Sequence, residues 1–175
     1  MNQSLTFEML DSRLGDNAPF LISLSDGLQE ELRIVISGAT VGKMGDNLPD
    51  FKDMDAATEQ ALGEILERTR PIEVNEQHFY EILFRDYILY QIRNESFGSY
   101  APDEVGHGRY LMTFEKSRFL SYLPVATDAQ MLDDGSYYPG KWVHYGIYTQ
   151  NHVIDVIAHG VPELSEVRKD CLPCD

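Results

Sequence analysis

The stretch YEILFRDYILYQI, residues 80–92, constrains this chain more than any other. Its even positions read Tyr, Ile, Phe, Asp, Ile, Tyr, Ile, while Glu81, Arg85 and Gln91 fall among the odd ones. Side chains alternate across a strand, so the pattern predicts β-structure with one buried face and argues against a helix. The run is longer than a usual strand of about 5–6 residues. It predicts one long bent strand, or two strands meeting near Arg85-Asp86 with a bulge there.

Other segments repeat the strand signature. FLISLS (20–25) and LRIVIS (32–37) flank DGLQEE and read as an antiparallel hairpin. LTFEML (5–10) reads as an earlier strand and RYLMTF (109–114) as a later one. KWVHYGIY (141–148) and HVIDVIA (152–158) form a hairpin closed by Thr149-Gln150-Asn151. One helix stands out, DAATEQALGEILERT (55–69), where Ala57, Ala61 and Ile65 recur every four residues. Asp53 or Asp55 can cap it, and Pro71 forbids its continuation. Shorter helices are expected at 117–123, stopped by Pro124, and at 162–169, opened by Pro162. No internal repeat or linker divides the 175 residues, so a single domain is expected over 1–175. The expected fold is α+β: an antiparallel twisted sheet of about six strands, with the 55–69 helix packed on a face.

Charge narrows function more than any motif does. The chain has 29 acidic and 14 basic residues, a net charge of −15. Such a field repels nucleic acids and anionic membranes, and it steers basic proteins inward. No apolar stretch is long enough to span a bilayer, and MNQSLTFEML lacks the basic start and apolar centre of a secretion signal. A cytoplasmic protein is expected.

Catalytic and cofactor signatures are missing from the sequence. Gly42-Lys43 is followed by Met44, which breaks the phosphate-loop order. DAQMLDDGS (128–136) lacks the alternating ligands and distal glutamate of a calcium loop. The five histidines form no HExxH motif, and no serine sits in a GxSxG turn. His144 and His152 fall on opposite arms of the last hairpin with Asp155 nearby, and a histidine, a carboxylate and a serine would make a hydrolytic triad only if the fold placed them adjacent. Cys171 and Cys174 form a lone CxxC in the terminal CLPCD, short of the four ligands of a structural zinc site, and read as a tail. No metal, no cofactor and no enzymatic activity are expected.

Asp155 and Asp86 each interrupt an apolar strand pattern. A carboxylate pointing inward needs a partner, so an arginine or tyrosine is expected beside Asp155 if it is buried. Arg93-Asn94-Glu95-Ser96, which ends the long run, reads as a polar turn. Glu95 there adjoins Phe97 and Tyr100, a composition suited to protein recognition. Two acidic segments are further candidates for a partner surface. Asp46, Asp50, Asp53, Asp55 and Glu59 crowd a loop and the start of a helix, and Asp133 and Asp134 adjoin Tyr137 and Tyr138. Carboxylates beside tyrosines combine steering with anchor area.

The segments YEILFRDYILYQIRNESF, KSRFLSYL and HYGIYTQNHVIDVIAHGVPEL resemble a group of small acidic bacterial proteins of uncharacterised function. In size, acidity and α+β layout the chain also resembles the immunity proteins encoded beside toxins of contact-dependent growth inhibition. That resemblance implies an inhibitor that binds and neutralises a basic toxin, a nuclease in the expected case. The alternatives are a small-molecule or protein-binding module of unrelated role, or an enzyme without a recognised motif that uses Glu95, His144 or Asp155.

Overall fold

A computed structural model describes residues 5–43, 54–99 and 101–169. In order they form α1 (Phe7–Arg13), β1 (Phe20–Asp26), β2 (Leu32–Val41), α2 (Ala56–Leu66), β3 (Ile72–Phe84) and β4 (Tyr87–Asn94). A 3-10 turn (Glu95–Phe97), β5 (Val105–His107), β6 (Leu111–Lys116) and α3 (Arg118–Ala126) follow. The described chain finishes with β7 (Gln130–Met131), β8 (Tyr137–Tyr138), β9 (Trp142–Tyr148), β10 (His152–His159) and β11 (Glu163–Val167). The class is α+β with antiparallel pairing throughout. The strands divide into a sheet ordered β1-β2-β3-β11, a second ordered β4-β10-β9-β6-β5, and the small hairpin β7-β8. Two sheets replace the single six-stranded one that sequence periodicity suggested.

The long alternating run is the reason for the division. It is two strands, and the chain changes sheet at Arg85-Asp86. Its partner ribbon changes sheet at the same corner, because β11 pairs with β3 while β10 pairs with β4. Asp86 takes φ 56° and Gly160 φ 73°, left-handed conformations open to Asp and Gly at low cost. The His159 N–H donates to the Asp86 carbonyl at 3.3 Å and ties the two bends together. Arg85 holds the corner from outside with a two-point contact to Glu163, Nε–Oε1 2.7 Å and Nη2–Oε2 3.3 Å, and a further bond to Glu31. Asp86 is therefore a corner residue, not a buried carboxylate.

Folding the ribbon in this way brings the inner faces of the sheets together. Leu32, Ile34, Ile36, Tyr80, Ile82 and Phe84 of the first meet Leu111, Tyr145, Ile147, Ile154 and Val156 of the second. Helix α1 joins this core through Phe7, Leu10 and Leu14. That spacing is helical, and it explains why residues 5–10 do not form the strand expected of them. Thr6 caps the helix, its hydroxyl accepting from the Met9 N–H at 3.2 Å.

Helix α3 covers the outer face of the second sheet. Phe119, Leu123 and the following Ala129 pack on Ile157. Pro124 lies inside α3 rather than ending it, and the Thr127 N–H still reaches the Leu123 carbonyl at 3.0 Å. Helix α2 forms where expected but is only partly covered by the described residues. It buries no residue, and its Ile65 is 59% exposed, because a stripe of alanines offers little area to bury. Residues 162–169 hold no helix, since Glu163–Val167 adds a strand to the open edge of β3. Among the described residues no helix is long and apolar enough to cross a membrane.

Candidate functional site

The hairpin β7-β8 displays four of the predicted partner residues together. Gln130 pairs with Tyr138 and Met131 with Tyr137. The tip is closed by Leu132 N–H donating to Ser136 O at 2.8 Å and by Gly135 at φ 82°. Asp134 is part of this closure, since its Oδ1 accepts from the Ser136 N–H at 2.9 Å and the Ser136 hydroxyl at 2.6 Å. Those bonds hold its carboxyl below the ordinary value. Asp133 has no such tie among the described residues, so its charge faces solvent. Tyr137 leans edge-on against Trp142 with ring centroids 4.8 Å apart, while Met131 and Tyr138 stand out at 65% and 55% exposure. Apolar and aromatic area thus sits beside an exposed carboxylate.

The remaining candidates lie on other elements. Asp55 is the cap of α2, accepting from the Ala57 and Thr58 N–H groups at 3.2 and 3.1 Å. Bonds from Thr58 keep its carboxyl below the ordinary value, so its charge has a structural use. Glu59 follows it in the first turn. Asp46, Asp50 and Asp53 lie outside the described residues, as do Tyr100, Cys171 and Cys174. Glu95 opens the 3-10 turn, its N–H donating to Asn151 O at 3.1 Å, with Phe97 exposed beside it. Asn94 shapes that turn by accepting from the Ser96 N–H at 2.9 Å. The RNES segment is thus a polar turn, with one exception: Arg93 points back into the protein.

Its destination is the expected partner of Asp155. Asp155 is 2% exposed on the outer face of β10, beneath α3. One of its oxygens accepts from Gln91 Nε2 at 2.9 Å and from Arg93 Nε and Nη2 at 3.1 and 2.8 Å. The other lies 3.1 Å from His144 Nε2. On the far side of that ring, Nδ1 is 2.8 Å from the hydroxyl of Ser117, which also accepts from the Leu120 N–H at 3.0 Å and so caps α3. The geometry follows from register. Gln91 and Gly146 sit directly opposite Asp155, with Arg93 and His144 two positions further along on the same face. Gly146 leaves room for aromatic rings, since a Cβ there would come within 2.9 Å of Phe114. Phe114 in turn stacks on His144 at 4.4 Å.

The order Ser-His-Asp invites comparison with a hydrolase, and access decides against it. Ser117 is 3% exposed, and it does not line the small cavity of about 80 Å³ that touches His144 and Asp155. Its hydroxyl is already occupied by the helix N-terminus and the imidazole. A nucleophile must reach substrate. The network instead fastens α3 to the second sheet. Burial pushes the Asp155 carboxyl up, but hydrogen bonds from His144 and Gln91, with the nearby charges of His144 and Arg93, outweigh it and hold the group below its ordinary value. Ser117→Ala removes a cap and strands the imidazole nitrogen, so it is expected to cost about 1–3 kcal/mol in urea denaturation. An unchanged midpoint would show that the hydroxyl holds nothing.

Among the described residues no group of three or more His, Cys, Asp or Glu is placed to hold a metal ion. No protein-family model, curated protein or solved structure matches this chain. Sequence reasoning reached Asp155 and His144 but missed Ser117, Gln91 and Arg93. The available signal was a carboxylate inside an apolar strand, which demands a donor without saying which one.

Proposed function

We propose that the protein is a binding protein that captures a basic protein partner, as an immunity protein does when it neutralises a nuclease toxin. The observation that carries this reading is the β7-β8 hairpin, where the untied carboxylate of Asp133 adjoins the exposed side chains of Met131 and Tyr138. The net charge of −15 supplies the second part. It repels another copy of the chain and accelerates encounter with a cationic surface, which matters when a toxin arrives already active. A nuclease must itself present a cationic cleft to hold phosphates, so acidic residues on the inhibitor oppose the charges that the nucleic acid would meet.

The test is to look for a toxin gene beside the gene of this protein, whose absence counts against the immunity reading, and to co-express the two. Cells carrying both are expected to grow, and the purified pair to associate with a rate that falls steeply as salt rises from low to physiological strength. Failure to protect removes the immunity reading. An association rate indifferent to salt removes the role assigned to charge.

A further inference from the structure

A cavity lies where the register of β2 and β3 breaks. Ser37 pairs with Phe79, yet Ala39 pairs with Val74, so the chain from Asn75 to His78 bulges out of the sheet. The bulge is pinned from inside: the buried Ser37 hydroxyl donates to the Asn75 carbonyl at 2.8 Å. Bulges re-aim side chains at sheet rims. Here the bulge, the C-terminal end of α1 and β11 enclose a cavity of about 480 Å³, within the range of small-molecule sites.

Its polar lining is mostly made of donors without acceptors. Tyr80 is 5% exposed, with its ring in the core. Its hydroxyl has no hydrogen-bond partner among the described residues, and it is not sealed from the cavity. Burial raises this phenol and the Glu166 charge adds to the effect while Arg13 opposes it, so at neutral pH the group is a proton donor. The guanidinium of Arg13, on the cavity wall, likewise makes no hydrogen bond or ion pair with the described residues. Asn75 spends its side-chain oxygen on the Gln77 N–H at 3.1 Å and keeps its amide N–H groups. His78 Nδ1 lies 3.4 Å from Glu166, the one carboxylate on the wall.

We infer that this cavity is a binding site for a small organic oxyanion, a carboxylate or a phosphate ester. Its charged end is held by Arg13 and the Tyr80 hydroxyl, and its body rests on Leu14 and Ala39. An unpaired arginine fork matches such a group in two-point fashion. A buried phenol lacking an acceptor is satisfied by the same group. Cationic ligands are disfavoured because Glu166 already faces His78 and the other lining groups donate. The inference is independent of the hairpin and its partner.

The test is titration of the full chain with phenyl phosphate, benzoate and inorganic phosphate, read by calorimetry and by amide shifts at Asn75 and Gly15. Saturable binding is expected for phenyl phosphate or benzoate, and the stronger of the two identifies the headgroup. Saturation by inorganic phosphate as tight as by either would overturn the part of the proposal that concerns the organic body. Arg13→Ala and Tyr80→Phe are expected to weaken binding about 10-fold or more each, ~1.4 kcal/mol. Glu166→Gln, which removes the opposing charge, is expected to tighten it. Arg13 is exposed and Tyr80→Phe keeps the ring, so both variants should fold, which a thermal melt verifies. No saturable binding by any of the three probes, or equal affinity in the Arg13 and Tyr80 variants, overturns the site.

Discussion

Asp155→Ala is expected to lower the free energy of unfolding by about 3–5 kcal/mol, the range seen when one partner of a buried ion pair is removed. Asp155 is 2% exposed and receives bonds from Gln91, Arg93 and His144 at once. Alanine leaves the Gln91 amide and the fully covered His144 ring without their acceptor. Because His144 also bonds the Ser117 cap, the loss should spread to α3 and appear as early hydrogen exchange in that helix. The same group makes a pH prediction. Its folded-state pKa lies below the ordinary value of 3.8, so its contribution is fully present above 3.8 and fades as pH falls through the lower folded value. The wild type should therefore lose its advantage over Asp155→Ala only in strong acid. A difference that stays constant through strong acid as well would mean the carboxylate adds nothing as a charge.

Reversing both hairpin charges, Asp133→Lys with Asp134→Lys, is expected to weaken partner association about 10-fold or more, because close interfacial charge pairs couple by at least ~1.4 kcal/mol. The two positions differ in kind. Asp134 also holds the hairpin tip through Ser136, so its replacement can act through shape. Asp133 carries no such duty, and Asp133→Lys alone is the cleaner probe of charge. Global stability should hardly change with that single variant, as is usual for exposed sites. Tyr138→Ala tests the apolar half of the same surface. If the hairpin variants bind normally while Glu59→Lys on α2 does not, the interface belongs to the other acidic segment.

The two predictions draw on different levels of information. The strands at 20–25, 32–37, 141–148 and 152–158 were legible because each is a short apolar run rich in β-branched or aromatic residues, which is a local property. The α2 helix was legible from its period and cap, and the hairpin candidates from carboxylates placed next to tyrosines. A partner for Asp155, an arginine or a tyrosine if the side chain pointed inward, was legible as a demand, since an apolar strand cannot shelter a lone charge. Other features were settled by partners far away in the chain. Residues 163–167 have enough local helical character to mislead, and the open edge of β3 made them a strand. Phe7, Leu10 and Leu14 fit the helical period, yet only the space between two sheets gave α1 something to cover. The stripe on α2 promised packing, but area, not period, determines burial.

Sequence by itself determined the antiparallel α+β class, the acidic field and the polar turn after the long run, all of which depend on neighbours within a few positions. Tertiary structure decided that the run is a corner between two sheets, that Arg93 meets Asp155 and Ser117 meets His144, and that Arg13 and Tyr80 line one cavity. The contact of Arg93 and His144 with Asp155 rests on strand register, and a slip of one residue would send the slipped strand's side chains to the opposite face.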